Sequence, residues 1–422
     1  MAGRGSSKPA GIFPIRRYCP RLSGRLCGRL EEPEAMREVA IVAGARTPFG
    51  RSTKGLLKDT RADTLAAHAV VETLKKVPQV KGADIEDFVL GCAFPEGEQG
   101  LNVARQVVYL AGLPVEVPAM TINRYCSSGL QAIDIAAGRI VSGQVEIALA
   151  GGVETMSGVP MMSGKVSLNP KLAAEFPEAF TPMGVTAEKV AKKFGITRAE
   201  QDQFASGSHQ KAAAAVAAGR YAGEIAPITT TVTENGVSRT VTVSADECIR
   251  ADTTSEKLAA LKPAFDPTGS VTAGNASPVT DGAAAVLLMS REEVEKRGIK
   301  PLGWLRFFTV AGVAPDVMGI GPVPAIRKLF EKTGKTVADI DLFEINEAFA
   351  AQAIPCQRSL EIPAEKLNVN GGAIALGHPL GATGARQALH ILLELERRGG
   401  RFGVTSMCIG GGMGAAALFE RA

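Results

Sequence analysis

Aromatic residues are scarce in this chain, at 5% of 422, and they are not interleaved with basic residues, which removes the stacking platform that single-stranded nucleic acid needs. Charge of one sign is lacking as well. The formal net charge is +4, but seven basic residues (Arg4, Lys8, Arg16, Arg17, Arg21, Arg25, Arg29) and three acidic ones (Glu31, Glu32, Glu34) fall before Met36. Taken from totals of 47 and 43, they leave 40 of each in the body, so nothing there steers nucleic acid to it. Histidine is rarer still. His68, His209, His378 and His390 form no H-E-x-x-H, and none has a neighbouring Cys or His at ligand spacing, so no metal site is expected. The seven cysteines are odd in number, scattered and without a C-x-x-C pair, which excludes a disulfide framework and fits a reducing compartment. Apolar stretches such as Val145 to Val153 and Gly282 to Met289 fall far short of the roughly 20 residues of a membrane span, so no transmembrane segment is expected.

What remains is a chain with 45% hydrophobic and 21% charged residues, enough for a large core in two or three domain-sized units. Residues 1–35 are Arg- and Gly-rich and read as an unstructured leader, with a composition also compatible with an organelle transit peptide. Beyond them, β-rich runs alternate with helical patterns, the mark of an α/β protein built from βαβ units. The strand candidates are Val39 to Ala43, Asp87 to Leu90, Ala119 to Ile122, Val145 to Ala150, Ala283 to Met289, Leu342 to Ile345 and Gly403 to Met407. Helices are predicted over Thr64 to Lys76, Ser128 to Ser142, Arg198 to Ala218, Val323 to Lys332 and Ala382 to Arg398. The two ends repeat each other: a strand from Asp87, the Asn123 turn, a helix and a strand closing at Gly151 match a strand from Asp341, the Asn370 turn, a helix and a strand closing at Gly410. Such a duplication predicts two similar α/β halves around a pseudo-twofold axis. We expect the first half in 36–156 with a closing strand in 279–300, and the second in 301–422. Between them, 157–278 reads as an inserted loop domain covering the site, with a hairpin around Asn235-Gly236.

The chemistry gathers at strand ends. Cys126 follows a strand and opens a helix at Ser127-Ser128-Gly129, where unsatisfied backbone N–H groups favour a thiolate. His378 sits in Gly371-Gly372-Ala373-Ile374-Ala375-Leu376-Gly377-His378-Pro379-Leu380-Gly381-Ala382-Thr383-Gly384, a strand-to-helix turn suited to a ligand. Its glycines are spaced G-x-x-x-G-x-x-G rather than G-x-G-x-x-G, which argues against a dinucleotide fingerprint. Cys408-Ile409-Gly410 and Asn346-Glu347-Ala348-Phe349 close two further strands, and polar residues there face a site more often than a core.

Four of these segments, Asn123-Arg124-Tyr125-Cys126-Ser127-Ser128-Gly129-Leu130, Asn346-Glu347-Ala348-Phe349, Gly377-His378-Pro379 and Cys408-Ile409-Gly410, resemble the signature blocks of the thiolase family. Gly151-Gly152-Val153-Glu154-Thr155-Met156-Ser157 and Thr272-Ala273-Gly274-Asn275-Ala276-Ser277 resemble two more, and the likeness runs from Val39 to Phe419. The resemblance implies a five-layered αβαβα core. It implies that Cys126 carries the acyl group, that His378 is its general base, and that Cys408 exchanges a proton with the α-carbon. Asn346 would hold a water that forms one oxyanion site with His378, and the N–H groups of Cys126 and Gly410 would form the other. Ser277 and Arg250 match family positions that touch coenzyme A, the substrate, with no permanently bound cofactor. Pro278-Val279-Thr280 departs from the usual pattern of that loop. After Glu154 to Ser157 the chain continues Gly158-Val159-Pro160-Met161-Met162, without the histidine of biosynthetic acetoacetyl-CoA thiolases, and so looks more like degradative 3-ketoacyl-CoA thiolases. Acetoacetyl-CoA synthesis is the alternative; a non-catalytic acyl-CoA-binding relative is the alternative of another class. The resemblance also implies a homodimer or homotetramer, with a multifunctional β-oxidation enzyme as a further partner. A cytoplasmic location is expected, or a mitochondrial one if 1–35 is a transit peptide.

Overall fold

Nine strands build the sheet that carries the site: β1 Val39–Arg46, β2 Asp87–Gly91, β3 Ala119–Ile122, β4 Ile147–Glu154, β5 Thr280–Ser290, β6 Gly303–Gly312, β7 Leu342–Ile345, β8 Phe402–Ile409 and β9 Met413–Arg421. Their order is β7-β8-β9-β6-β1-β5-β4-β2-β3, and the short Gly50–Arg51 strand pairs with the start of β5. The computed structural model describes residues 37–161, 164 and 167–422. The expected leader, 1–35, lies outside the described residues.

The duplication is visible in the pairing. In the first half β2 runs parallel to β3 and β4, and β5 lies antiparallel between β4 and β1. The second half repeats this: β7 is parallel to β8 and forms a parallel bridge at Leu367, and β9 lies antiparallel between β8 and β6. The halves join where β1 pairs antiparallel with β6, Val39 opposite Leu305 and Ile41 opposite Gly303. Neither β6 nor β9 is among the strands expected from sequence. Arg306 interrupts the apolar run of β6, and β9 opens on glycine and three alanines, which have low intrinsic strand preference. Both strands owe their form to neighbours on either side.

Side chains of a strand alternate between its faces, and here the alternation separates the layers. Leu287 and Met289 of β5 join a cluster with Leu65 and Val70 of the outer helix α1 (Ala62–Lys75). Val286 and Leu288 point the other way, into a cluster with Leu130 and Ile133 of α2 (Ser128–Val141) and Leu389 and Ile391 of α3 (Leu380–Arg398). Phe419 and Ala417 of β9 enter that same central cluster from the second half. Leu418 faces outward with Ile326 and Leu329 of the helix Pro322–Thr333. The order helix, sheet, paired helices, sheet, helix is the five-layered core. Helix α3 is buried on nearly every side from Leu380 to Leu395, as its central place requires.

The segment between β4 and β5 supplies the helices Met183–Phe194 and Arg198–Ala217 and the hairpin Ile228–Glu234 with Val237–Val243, turned by Asn235 and Gly236, both at positive φ. It is tied to the core by charge. Arg46 is fully buried and binds Glu224 through Nε (2.8 Å) and Asp246 through both terminal nitrogens (2.6 and 2.8 Å). Among the described residues no helix is long and apolar enough to cross a membrane.

Backbone closeness joins α3 to the first half. A Cβ placed on Gly152 would lie 1.8 Å from the Gly381 carbonyl oxygen, and one on Gly381 would lie 2.3 Å from that of Val153. Only glycine permits this approach. Gly152→Ala must therefore push α3 away from β4, and we expect it to cost about 3 kcal/mol in denaturant unfolding. An unchanged midpoint would show that the contact is slack.

Candidate active site

Cys126 sits in the single 3-10 turn Tyr125–Ser127, just ahead of α2. The turn packs against both α3 and β8, so the sulfur lies where the halves meet. Asn123 fastens its start, accepting from Tyr125 N (2.7 Å) and donating to Ala93 O (2.9 Å). Ser128 Oγ closes it by accepting from Arg124 N (2.9 Å). Tyr125 is held at a positive φ of 44°, a left-handed conformation that costs a non-glycine residue about 1 kcal/mol or more.

The electrostatics differ from the sequence expectation of a ready thiolate. Burial pushes the Cys126 thiol up to about 12. The N–H groups of Gly410 and of Cys126 itself act on the sulfur in the opposite sense, and the charge on Glu154 adds to the rise. Desolvation outweighs the donors because the residue is almost wholly buried. Cys408, at the end of β8, is likewise raised well above the ordinary thiol value, first by burial and then by the nearby sulfurs of Cys126 and Cys356. Two of the cysteines singled out by sequence thus stand together, and both are thiols at rest.

His378 and Asn346 form a second group. Thr383 Oγ1 donates to Pro379 O (3.0 Å), so it accepts from His378 Nδ1–H (2.6 Å). This assigns the proton to Nδ1 and leaves the Nε2 lone pair to accept from Asn346 Nδ2 (3.2 Å). The backbone N–H of His378 donates to Thr280 Oγ1 (3.0 Å). Burial, with a contribution from the Arg386 charge, lowers His378 to about 3, so the ring is neutral across the physiological range. Asn346 Oδ1 is buried without a partner among the described residues.

The two positions matched to coenzyme A differ from each other. Ser277 is half-buried, and its N–H donates to Ala348 O (2.9 Å), which places it beside the strand end that carries Asn346. Arg250 is exposed; its backbone N–H donates to His209 Nδ1 (3.2 Å), and its contacts set it apart from the sulfur cluster.

Sequence reasoning missed several supporting residues. Thr383 orients His378 from one turn into α3, and the short step from Gly-His-Pro to a threonine was the only available signal. Glu347 is buried and pushed upward by burial, while Ser208 Oγ (2.6 Å), Asn368 Nδ2 (2.8 Å) and Ile374 N (3.3 Å) donate to it. Glu154 is buried at the end of β4 among four N–H donors. Cys356, pushed up to about 12 by burial, donates to Gly319 O (3.4 Å) beneath Cys408.

A duplicated α/β core that brings two buried thiols together at the junction of its halves, with a buried neutral imidazole on the turn into α3, suits chemistry that carries acyl groups on sulfur. The comparisons agree. Residues 39–292 match the thiolase N-terminal domain and residues 299–421 the thiolase C-terminal domain. The chain is 53% identical to the 3-ketoacyl-CoA thiolase of Bacillus subtilis, over 91% of this chain and 100% of that protein. Two crystal structures share the fold. The acetyl-CoA acetyltransferase of Bacillus anthracis superposes with a TM-score of 0.84 at 42% identity, covering 92% of this chain and 99% of that one. The human mitochondrial 3-ketoacyl-CoA thiolase in complex with CoA gives 0.83 at 40%, covering 92% and 98%. The chain belongs to the thiolase family and is an acyltransferase.

A protonated resting thiol has a direct signature. Alkylation of Cys126 by iodoacetamide should accelerate about ten-fold per pH unit from about pH 7 to 9 without levelling. A plateau near neutrality would mean that the thiolate already exists.

Proposed function

We propose that this enzyme cleaves 3-ketoacyl-CoA with coenzyme A, giving acetyl-CoA and an acyl-CoA shortened by two carbons, and that the reaction runs reversibly through an acyl group on Cys126. The observation that carries the reading is the meeting of the buried Cys126 and Cys408, one from each half. The 53% identity to a protein named 3-ketoacyl-CoA thiolase favours the degradative direction over acetoacetyl-CoA synthesis.

In this reading the Cys126 sulfur attacks the 3-keto carbon while its proton passes to His378 Nε2. Burial holds the Cys126 thiol high and the His378 ring low. A thiolate–imidazolium pair formed ahead of attack is disfavoured in so buried a setting. Proton transfer and carbon–sulfur bond formation therefore proceed together, and the negative charge that develops on oxygen meets the N–H groups of Cys126 and Gly410. As the bond between C2 and C3 breaks, the enolate of acetyl-CoA takes the Cys408 proton. Asn346 and His378 face its oxygen. Coenzyme A then enters, gives its thiol proton to Cys408, and its sulfur takes the acyl group from Cys126, which recovers its proton from His378. The half-buried Ser277 suits the pantetheine arm, and the exposed Arg250 suits the nucleotide end.

The same reading assigns the segment 157–278 to covering the site and binding substrate. The edge strand β3 is unpaired on one side, and Leu101, Tyr109, Leu110 and Val115 are exposed apolar residues on the nearby segments. A second copy that pairs along β3 would bury them and complete a homodimer.

Incubation with a 3-ketoacyl-CoA should leave an acyl group on Cys126, visible by mass spectrometry, and Cys126→Ser should lower turnover by about 10³-fold or more. Steady-state rates across chain lengths should include substrates longer than four carbons. Activity confined to acetoacetyl-CoA would move the assignment to the acetyltransferase alternative.

A further inference from the structure

Glu154 ends β4 as a fully buried carboxylate. Its Oε2 accepts from Ala93 N (2.8 Å) and Gly381 N (2.9 Å); its Oε1 accepts from Phe94 N (3.1 Å) and Gln99 Nε2 (2.8 Å). The Cys92 thiol lies 3.7 Å from Oε1. Burial pushes the Glu154 carboxyl up from its ordinary value, and the donors from Ala93, Gln99, Gly381 and Phe94 oppose that rise; every nitrogen partner is a donor, so the ionised carboxylate is the form that satisfies them all. Four donors are far more than a packing residue requires, and they come from two separate parts of the chain.

Gly381 N belongs to the first turn of α3, three residues beyond His378 and two before Thr383, which orients the His378 ring. The dipole at this helix start reinforces the attraction to an anion. Ala93 and Phe94 belong to the loop after β2. From there Ala93 O takes a hydrogen bond from Asn123 Nδ2, and Asn123 Oδ1 takes one from Tyr125 N, the residue before Cys126. One carboxylate thus grips the turn bearing the histidine directly and the turn bearing the nucleophile through two intervening residues, Ala93 and Asn123.

We propose that Glu154 is a positioning residue that fixes the separation between the Cys126 sulfur and the His378 ring, through its simultaneous hold on Gly381 and on the Ala93–Asn123–Tyr125 chain. The inference rests on the acyl-transfer reading above. Its electrical effect runs against the reaction, because a negative charge near the sulfur disfavours the thiolate. The groups that act on that sulfur are Glu154, the neighbouring Cys408, and the N–H groups of Gly410 and Cys126. An anion retained there despite this penalty is held for its geometry.

The conflict of signs provides the test. Glu154→Gln keeps the shape but turns one acceptor into a donor facing N–H groups, and it removes the charge. We expect acylation of Cys126 by 3-ketoacyl-CoA to fall about 100-fold, chiefly in kcat, since small misplacements of reacting groups have effects of this size. Iodoacetamide labelling of the same sulfur should be as fast as in the wild type or faster at each pH, with its profile displaced to lower pH. General loosening would also expose and ionise the sulfur, so the buried Cys248 and Cys356 serve as reporters: their labelling should stay as slow as in the wild type, and a matched rise there would overturn the proposal. Acylation within about three-fold of the wild type would overturn the proposal, and so would a matched fall in acylation and labelling. If Glu154→Gln does not fold, Asn123→Ala at the exposed end of the chain of contacts removes the donor to Ala93 O and the acceptor of Tyr125 N without adding a charge near the sulfur. It should lower kcat about 10-fold with labelling retained, and unchanged kcat would equally refute the assignment. Wild-type protein run in parallel separates the two readings: absence of acyl-Cys126 there would remove the proposed reaction itself, whatever the variants do.

Discussion

The approach of Gly152 to Gly381 sets how closely α3 lies against β4, the strand of the first half that it crosses. With ordinary residues at these positions α3 would stand off from β4. His378 rides on the turn that leads into α3, and Glu154 ends β4, so the same closeness that packs the core also brings the first turn of α3 within reach of a carboxylate. Packing and chemistry share one constraint here, and the glycines fall within the very segments that carry the functional groups.

The second governing condition is dryness. Burial lifts both thiols and depresses the imidazole, which leaves the resting centre without net charge among its reacting groups. In the proposed mechanism charge appears only as bonds change, at oxygens that would face N–H groups in a low-dielectric surrounding, where such donors act far more strongly than in water. The sequence expectation of a thiolate at a helix start did not include this term. Position along the chain shows that a cysteine precedes a helix; it does not show that the surrounding layers exclude solvent.

Much of the architecture was readable beforehand for a physical reason. Strands such as Asp87–Gly91 and Leu342–Ile345 are apolar runs between turn residues, and the repeated order of strand, Asn turn, helix and strand marked the duplication. The strands β6 and β9 were not readable, because Arg306 breaks the apolar run of β6 and because glycine and alanine take extended form in β9 under the hold of neighbours. Cys126, His378, Asn346, Cys408 and Gly410 stood out through their places at strand ends beside glycine. Thr383, Glu154 and Glu347 did not, since a supporting residue is defined by the atoms it meets across the fold and leaves little trace in its own neighbourhood. Arg250 carried a family match without a structural contact that ties it to the sulfurs.

The joining of β1 to β6 bears on how the molecule is made. The first strand of the body finds its neighbours only once residues 280–312 have left the ribosome, and the nucleophile waits still longer, for a β8 that ends near the carboxyl terminus. Contacts so distant in sequence are slow to form. Until β8 is in place, Cys126 stands without Cys408 and without the Gly410 N–H, so the proposed acyl-transfer site is assembled only by that late strand.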